Sequence, residues 1–519
     1  MPSVPFGVAR AFSQLTYMDD LSLPAVVLIH TRIDYAGTFY IPWRTGAEAF
    51  AVTGHVGTVG SGFFVNPNGY IVTNGHVVFC LENKDYRQDP MTKKDIMQDA
   101  IKKLTTLYQR QHGVTFMESD IQYIVNYNMQ YGEVNESQRY VYVILGESEG
   151  DVIEAERGLA ATVVNSDPFI GRDLAILKVE LSNTPSLLLG DSDKVEVGDT
   201  VYAVGYTGVR AFHPSLSDST LLAPSLSQGA AIGMRMTRQN VPAIQHSATT
   251  TFGNSGGPLL DAGGNVVGVI EVGGITDLGL EAAVSDFAVA SNVVRDFLRE
   301  NGVDNSAGDV TVRYWRGLAL YYGSMYASAK GEFDAVTALC PNNGRAEQLS
   351  QECQSAILSG ERAESSVALK AFPLAVKARR ESVTVTGYLE HISPMPLKFN
   401  ITWPVVQIVV QYTKPDGSSV IHTISNSADG TFTDSIKPDA PGQWSVRASW
   451  QGDEDHLGAS SDTLAFTVTE PPLFEMLVDT GLVFVFPIVA IMAIAAIVLS
   501  LRKHKANSSQ LTPLPPQAI

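Results

Sequence analysis

Apolar residues change their rhythm several times along the chain, and each rhythm predicts a different kind of element. Leu23-Pro-Ala-Val-Val-Leu-Ile29 is nearly unbroken, as in a buried strand, and Tyr140-Val-Tyr-Val-Ile-Leu145 resumes that pattern. Between them Asp89-Pro90 reads as a helix start, with proline tolerated in the first turn. Ile96, Met97, Ala100, Ile101, Leu104, Leu107 and Tyr108 then recur at helical spacing and form one apolar stripe. A tyrosine-rich helical segment follows from Ser119 to Tyr131. Together these make a helical insertion over residues 83–138, either packed on the outside of the neighbouring strands or closing as a lid over a cleft. Asp286 to Arg299 reads as a helix, and Val310 to Val376 as a helical module. From Ser382 to Thr469 short alternating strands separated by turns such as Lys414-Pro-Asp-Gly417 predict a β-sandwich. Thr480 to Leu501 then runs 22 residues without a charge, enough to cross about 30 Å of hydrocarbon.

Composition narrows the choices. A chain of 519 residues with 45% hydrophobic content supports two or three globular domains. A formal charge of −18 argues against a nucleic-acid partner, which needs a basic face. Three cysteines do not make a disulfide-framed fold. Cys80 reads as a small buried hydrophobe. Cys353 lies roughly 10 Å into a helix beyond the Cys340 turn at 1.5 Å per residue. A bridge needs Cα atoms within about 7 Å, so the spacing weighs against one without excluding it. The histidines show no HExxH or paired spacing, so neither a metal nor another cofactor is expected.

The chemistry is concentrated in three strings: Thr73-Asn-Gly-His-Val-Val78, Asp173-Leu-Ala-Ile-Leu-Lys178 and Gly253-Asn-Ser-Gly-Gly-Pro-Leu259. A serine hydroxyl is a weak nucleophile until an adjacent base takes its proton. The base in turn needs a carboxylate to hold its tautomer. These strings provide all three groups in the order His, Asp, Ser, whereas the α/β-hydrolases place Ser first.

From about Leu21 to Glu300 the chain resembles the trypsin-like peptidases, and specifically their Deg/HtrA branch. Ser61-Gly-Phe-Phe-Val65 with Asn66-Pro-Asn-Gly-Tyr-Ile-Val-Thr-Asn-Gly-His76 is similar to the strand–turn–strand that leads to the base. Leu189-Gly-Asp-Ser-Asp193, Val197-Gly-Asp-Thr-Val-Tyr-Ala-Val-Gly205 and Gly264-Asn-Val-Val-Gly-Val269 resemble strands of the second barrel. The resemblance implies His76 as general base, Asp173 as its orienting carboxylate and Ser255 as nucleophile, with an oxyanion hole from the N–H groups of Gly253 and Ser255. Asp167, the rival to Asp173, reads as a turn residue in Asn-Ser-Asp-Pro. The resemblance also implies a substrate pocket containing Thr249 and Val272. Thr249 stands where tryptic members carry an acid, so a small or medium apolar residue, not Arg or Lys, is expected before the cut. His246 departs from the family pattern and is expected at the surface or barrel edge. Glu271, in Val269-Ile-Glu-Val-Gly273, lies on a strand expected to pass near the buried carboxylate, where a second acid would raise a pKa by like-charge repulsion; the alternative, which is favoured, is that it points outward.

The expected fold is mainly β: a chymotrypsin-like double β-barrel, a helical hairpin module, an Ig-like β-sandwich and one transmembrane helix. The expected segments are an N-terminal leader 1–20, the protease domain 21–300, the helical module 301–376, the sandwich 382–470, the membrane helix 480–501 and a tail 502–519. Tyr314 to Ala335 resembles one tetratricopeptide helix pair, which alone cannot bury its own face and so docks on a neighbour. The sandwich resembles Ig-like modules of prokaryotic surface proteins and is expected to act as a spacer. Arg502, Lys503 and Lys505 follow the apolar run, which places the tail in the cytoplasm and the rest outside. Residues 1–20 show no signal-peptide pattern, so either the true start lies upstream of Met1, or export uses the C-terminal anchor alone, or the protease faces the cytoplasm; the first is the preferred expectation. The implied function is a membrane-anchored serine endopeptidase acting on protein or peptide substrates in envelope quality control or processing. Membrane lipid would be its partner through 480–501, and self-association as a homo-oligomer is carried over without an assigned segment. The alternative is a non-catalytic surface binding or sensory protein built on a protease-like barrel.

Overall fold

In the computed structural model, β1 (Val26–Trp43) and β2 (Gly46–Phe64) form one long antiparallel hairpin, in register from Val26↔Phe63 to Trp43↔Gly46. The structure describes residues 13–78, 90–145, 158–168, 171–207, 224–271, 286–392, 403–472 and 482–507. Cys80 lies outside them.

The start of β1 is apolar on both faces because each face meets a different core. Val26 and Leu28 join one buried cluster, Val27 and Ile29 another. Beyond, the strand alternates, with Ile33, Tyr35, Phe39 and Ile41 buried. That second half packs against α2 (Pro90–His112) and α3 (Glu118–Tyr131) through Ile96, Met97, Ala100, Ile101, Leu104, Ile124 and Val125. Asn128 pins α3 to the strand, accepting the Tyr40 N–H at 2.8 Å and donating to the Tyr40 carbonyl at 2.7 Å. The insertion thus packs on the outside of the sheet.

Around the hairpin stand β3 (Tyr70–Thr73), β4 (Glu133–Leu145), β5 (Leu159–Ala160), β6 (Thr162–Asp167) and β7 (Leu174–Lys178), in the order β5-β4-β1-β2-β3-β7-β6. The two edges of this sheet belong to one strand interrupted only at Ala161: β5 pairs with β4 (Tyr142↔Ala160), the Ala161 N–H donates to the Val141 carbonyl at 2.9 Å, and β6 pairs with β7 (Thr162↔Lys178), so the edges are joined and the sheet wraps round on itself. The second sheet also closes, as β10-β13-β12-β11-β8-β9. These strands are β8 (Thr200–Gly205), β9 (Ser225–Met236), β10 (Pro242–His246), β11 (Pro258–Asp261), β12 (Val266–Glu271) and β13 (Asp286–Ala290).

One apolar cluster joins Phe63, Val72 and Leu174 of the first sheet, Val204, Leu260 and Val269 of the second, and Phe297 of α4 (Ser291–Glu300). It continues into α5 (Asp309–Tyr322), α6 (Tyr326–Leu339) and α7 (Gly344–Ser359) through Tyr314, Phe333 and Leu349. The helical module is therefore three helices, not a hairpin, and it shares the core of the sheets. Residues 14–20, expected in a leader, belong to α1 (Gln14–Ser22), which seats Met18 in this cluster. Asp20 is buried and bonds the Tyr322 hydroxyl at 2.5 Å and Arg345 at 2.6 Å. Cys340 and Cys353 are free thiols.

The chain divides into two compact units, the first ending at Ala363 and the second beginning at Glu364. The expected helical module 301–376 ends earlier than its sequence pattern suggests. Gly360 caps α7 in a left-handed conformation (φ 82°), and β14 (Glu364–Phe372) and β15 (Ala375–Lys377) follow. Val367 and Ala371 are buried on one face of β14, the period of a strand. In the second unit, β14, β16 (Val383–Ile392) and β19 (Thr431–Ile436) form one sheet. β15, β22 (Leu464–Thr469), β20 (Gly442–Gly452), β17 (Gln407–Thr413) and β18 (Ser419–Ser425) form another, with β21 (Leu457–Ser460) also on β20. The two sheets share a core that includes Val385, Phe432, Tyr412, Trp444 and Phe466. The last helix, α8 (Leu482–Asn507), is long and apolar enough over Pro487–Lys505 to cross a membrane, with mean hydropathy 1.6.

Candidate active site

Each residue of Thr73-Asn-Gly-His76 has a local reason to be there. Thr73 Oγ1 donates to the Ser61 carbonyl at 2.7 Å, and Asn74 Nδ2 donates to the Asp173 carbonyl at 2.9 Å. A Cβ on Gly75 would collide with the Asp167 carbonyl, so only glycine lets these two segments approach. The next residue, His76, opens a short 3-10 turn, His76–Val78.

Asp173 leads into β7 and is only 2% exposed. Its carboxylate accepts the His76 backbone N–H at Oδ1 (2.8 Å) and meets His76 Nδ1 at Oδ2 (2.7 Å). Asp167, the rival carboxylate, is instead paired with Arg172 at 2.6 Å. Burial disfavours a charged His76, but the charge and hydrogen bond of Asp173 outweigh it, and Glu271 adds to the same side. The His76 pKa is raised as a result.

Ser255 lies in a turn with left-handed glycines on either side, Gly253 (φ 98°) and Gly256 (φ 87°). Ser61 clips that turn at two points: its N–H donates to the Ser255 carbonyl at 2.8 Å and its Oγ donates to the Gly253 carbonyl at 2.6 Å. The Tyr206 N–H donates to the same Oγ at 2.8 Å. On the other flank β12 holds the turn, with Gly256 N–H donating to the Ile270 carbonyl and Ile270 N–H to the Gly257 carbonyl, both at 2.9 Å. A Cβ on Gly256 would strike the Ser61 carbonyl and the Thr73 hydroxyl and lie 3.0 Å from the Asn74 amide nitrogen. The serine turn is thus pressed against the segment that carries His76. No described residue accepts the Gly253 N–H.

The two pocket residues fare differently. Thr249 is exposed, with its carbonyl held by Ser227 Oγ at 2.6 Å; Val272 lies outside the described residues. His246, expected at the surface or rim, ends β10 and is 1% exposed. Glu271 does not turn outward: it is partly buried, and its charge acts on both Asp173 and His76. Desolvation and the neighbouring Asp173 carboxylate push its pKa up to about 7, against a smaller opposing pull from His76. Sequence reasoning gave no role to Ser61, although a serine between Gly60 and Gly62 in an apolar strand is a visible irregularity. Among the described residues no three His, Cys, Asp or Glu side chains gather as metal ligands would.

Comparison with known proteins agrees with this geometry. Residues 60–269 match the family model described as a trypsin-like peptidase domain. A probable periplasmic serine endoprotease, DegP-like, of Marinomonas sp. is 39% identical over 22% of this chain and 22% of its own length. A serine protease HTRA1A of Danio rerio is 31% identical over 29% of each chain. A DegP-like endoprotease of Chlamydia pneumoniae is 26% identical over 49% of this chain and 37% of its own. The chain spans about a fifth of the length of the first of these relatives. It carries a trypsin-like serine peptidase domain, similar in sequence to those of DegP-like and HtrA proteases.

Proposed function

We propose that this protein is a membrane-anchored serine endopeptidase in which His76 is the general base, Asp173 its orienting partner and Ser255 the nucleophile. The observation that carries this reading is the two-point grip of the buried Asp173 carboxylate on the ring and backbone of His76, against the clipped Ser255 turn. In the first step Ser255 Oγ bonds to the substrate carbonyl carbon while His76 Nε2 takes its proton. The Nδ1 proton stays shared with Asp173, which stabilises the imidazolium. The oxyanion is received by the N–H groups of Gly253 and Ser255. Collapse breaks the C–N bond, and His76 returns the proton to the leaving amine. Water then enters by the same route in reverse and frees Ser255.

Residues 480–501 would anchor the chain in lipid, with the basic tail in the cytoplasm and the peptidase outside. An Ig-like second unit would serve as a spacer. Proteins or peptides with exposed segments would be the substrates, in envelope quality control or processing. Thr249 and Val272 would favour a small or medium apolar residue before the cut. The test is hydrolysis of an internally quenched, denatured protein by the full chain in detergent. Turnover lost by at least about 10³-fold in Ser255→Ala supports the reading. Equal turnover in wild type and variant overturns it.

A further inference from the structure

Strand β12 places a second carboxylate at the site. Along it Val269 enters the core shared with the first sheet, and Ile270 enters the core of the second barrel. Side chains alternate across a strand, so Glu271 returns to the Val269 side. The cluster that Val269 joins also contains Leu174, the residue after Asp173. The backbone of Ile270 is bonded to Gly256 and Gly257, so Glu271 is also next to the strand segment that braces the serine turn. Among the described residues its carboxylate has neither a hydrogen bond nor an ion pair, and it acts on Asp173 and His76 through charge. The Asp173 carboxylate oxygens, for their part, accept described hydrogen bonds from His76 alone.

We propose that Glu271 is a positioning residue of the triad: its carboxylate, on the core-facing side of β12 beside His76 and Asp173, decides when the imidazole is free to take the Ser255 proton. This rests on the peptidase reading above. An ionised Glu271 favours the imidazolium and so withholds the base; a neutral one releases it. Among the described residues other titratable neighbours are few. Across the ladder Glu271 faces Phe287, and Asp286 beyond it accepts the Thr250 N–H at 3.2 Å. Strand β11 offers Pro258 and Leu259 on its side of β12.

The base must be neutral to act, so activity is lost as pH falls through the His76 pKa. Removing the Glu271 charge lowers that pKa, and the acid limb of activity moves to lower pH. The test reads His76 directly, by NMR titration of ¹³C-labelled histidine rings in the full chain in detergent, with His76→Ala to assign the signal. A parallel pH profile of kcat/KM uses the quenched protein substrate. Glu271→Gln should lower the His76 midpoint and the acid limb together by about one unit, the scale of one nearby charge. Glu271→Asp should restore the wild-type midpoint. A lower plateau with an unmoved midpoint marks a merely structural role and overturns the proposal. Should the midpoint move while the wild type shows no turnover at any pH, the coupling stands and the peptidase reading is what fails.

Discussion

Asp173 has a left-handed backbone, φ 51°, which aspartate tolerates better than most residues. That conformation, buried beside Gly75, presents both carboxylate oxygens to one histidine, one to the ring and one to the main chain. Asp173→Asn should therefore fold yet lose about 10⁴-fold in kcat, because an amide can hold the wrong tautomer. Steady-state kinetics with a matching melting temperature checks this. Ser61 is a second point of leverage. Removing its hydroxyl strands the Tyr206 N–H and the Gly253 carbonyl, so Ser61→Ala should cost about 1–3 kcal/mol in denaturant unfolding and loosen the serine turn. The strings around His76, Asp173 and Ser255 are legible in sequence because their chemistry needs particular neighbours. Glu271 is misread as outward-facing because a lone acid at a strand end looks solvated. The alternation of Val269 and Ile270 carries the correct orientation, but only once their two cores are known.

At the scale of elements, the 83–138 insertion shows how far periodicity reaches. The apolar stripe from Ile96 to Tyr108 predicts helix α2, and the structure buries it from Ile96 to Leu104 while leaving Leu107 exposed. The sequence leaves open which surface receives it, because the receiving face is the alternating half of β1, some 60 residues earlier. Asn128 is the polar lock on that contact. Asn128→Ala should leave the Tyr40 backbone groups open to water and raise hydrogen exchange across residues 118–131, while turnover stays within about twofold. A large loss of turnover would instead favour a lid. Strand β14 escapes the sequence reading for a different reason: it continues directly from a helical run, and Ala363 to Ala371 mixes small residues that suit either state.

Across the first unit, one core runs from the sheets into α5–α7, and α1 is bolted to it by Asp20. Asp20 is buried and Arg345 is only 15% exposed, so Arg345→Met should cost about 3–5 kcal/mol by leaving a buried carboxylate without its cation. Burial raises the Asp20 pKa despite its cation. A raised carboxylate means the folded state binds more protons, so this group's contribution falls as pH rises from the unfolded value through the folded one. The Arg345→Met penalty should accordingly shrink on acidification, which thermal melts at pH 5 and pH 8 will show. The closed second barrel is foreshadowed by its strand strings. The lengthened hairpin of the first sheet is not, because nothing local in its sequence marks where its strands end.

If His76, Asp173 and Ser255 form a working nucleophile, a fluorophosphonate should find it: the full chain is treated in detergent and the adduct located by mass spectrometry of its peptides. A single adduct on Ser255 is expected, absent from Ser255→Ala and His76→Ala. A folded wild-type protein that stays unmodified, or is modified only elsewhere, would contradict that triad.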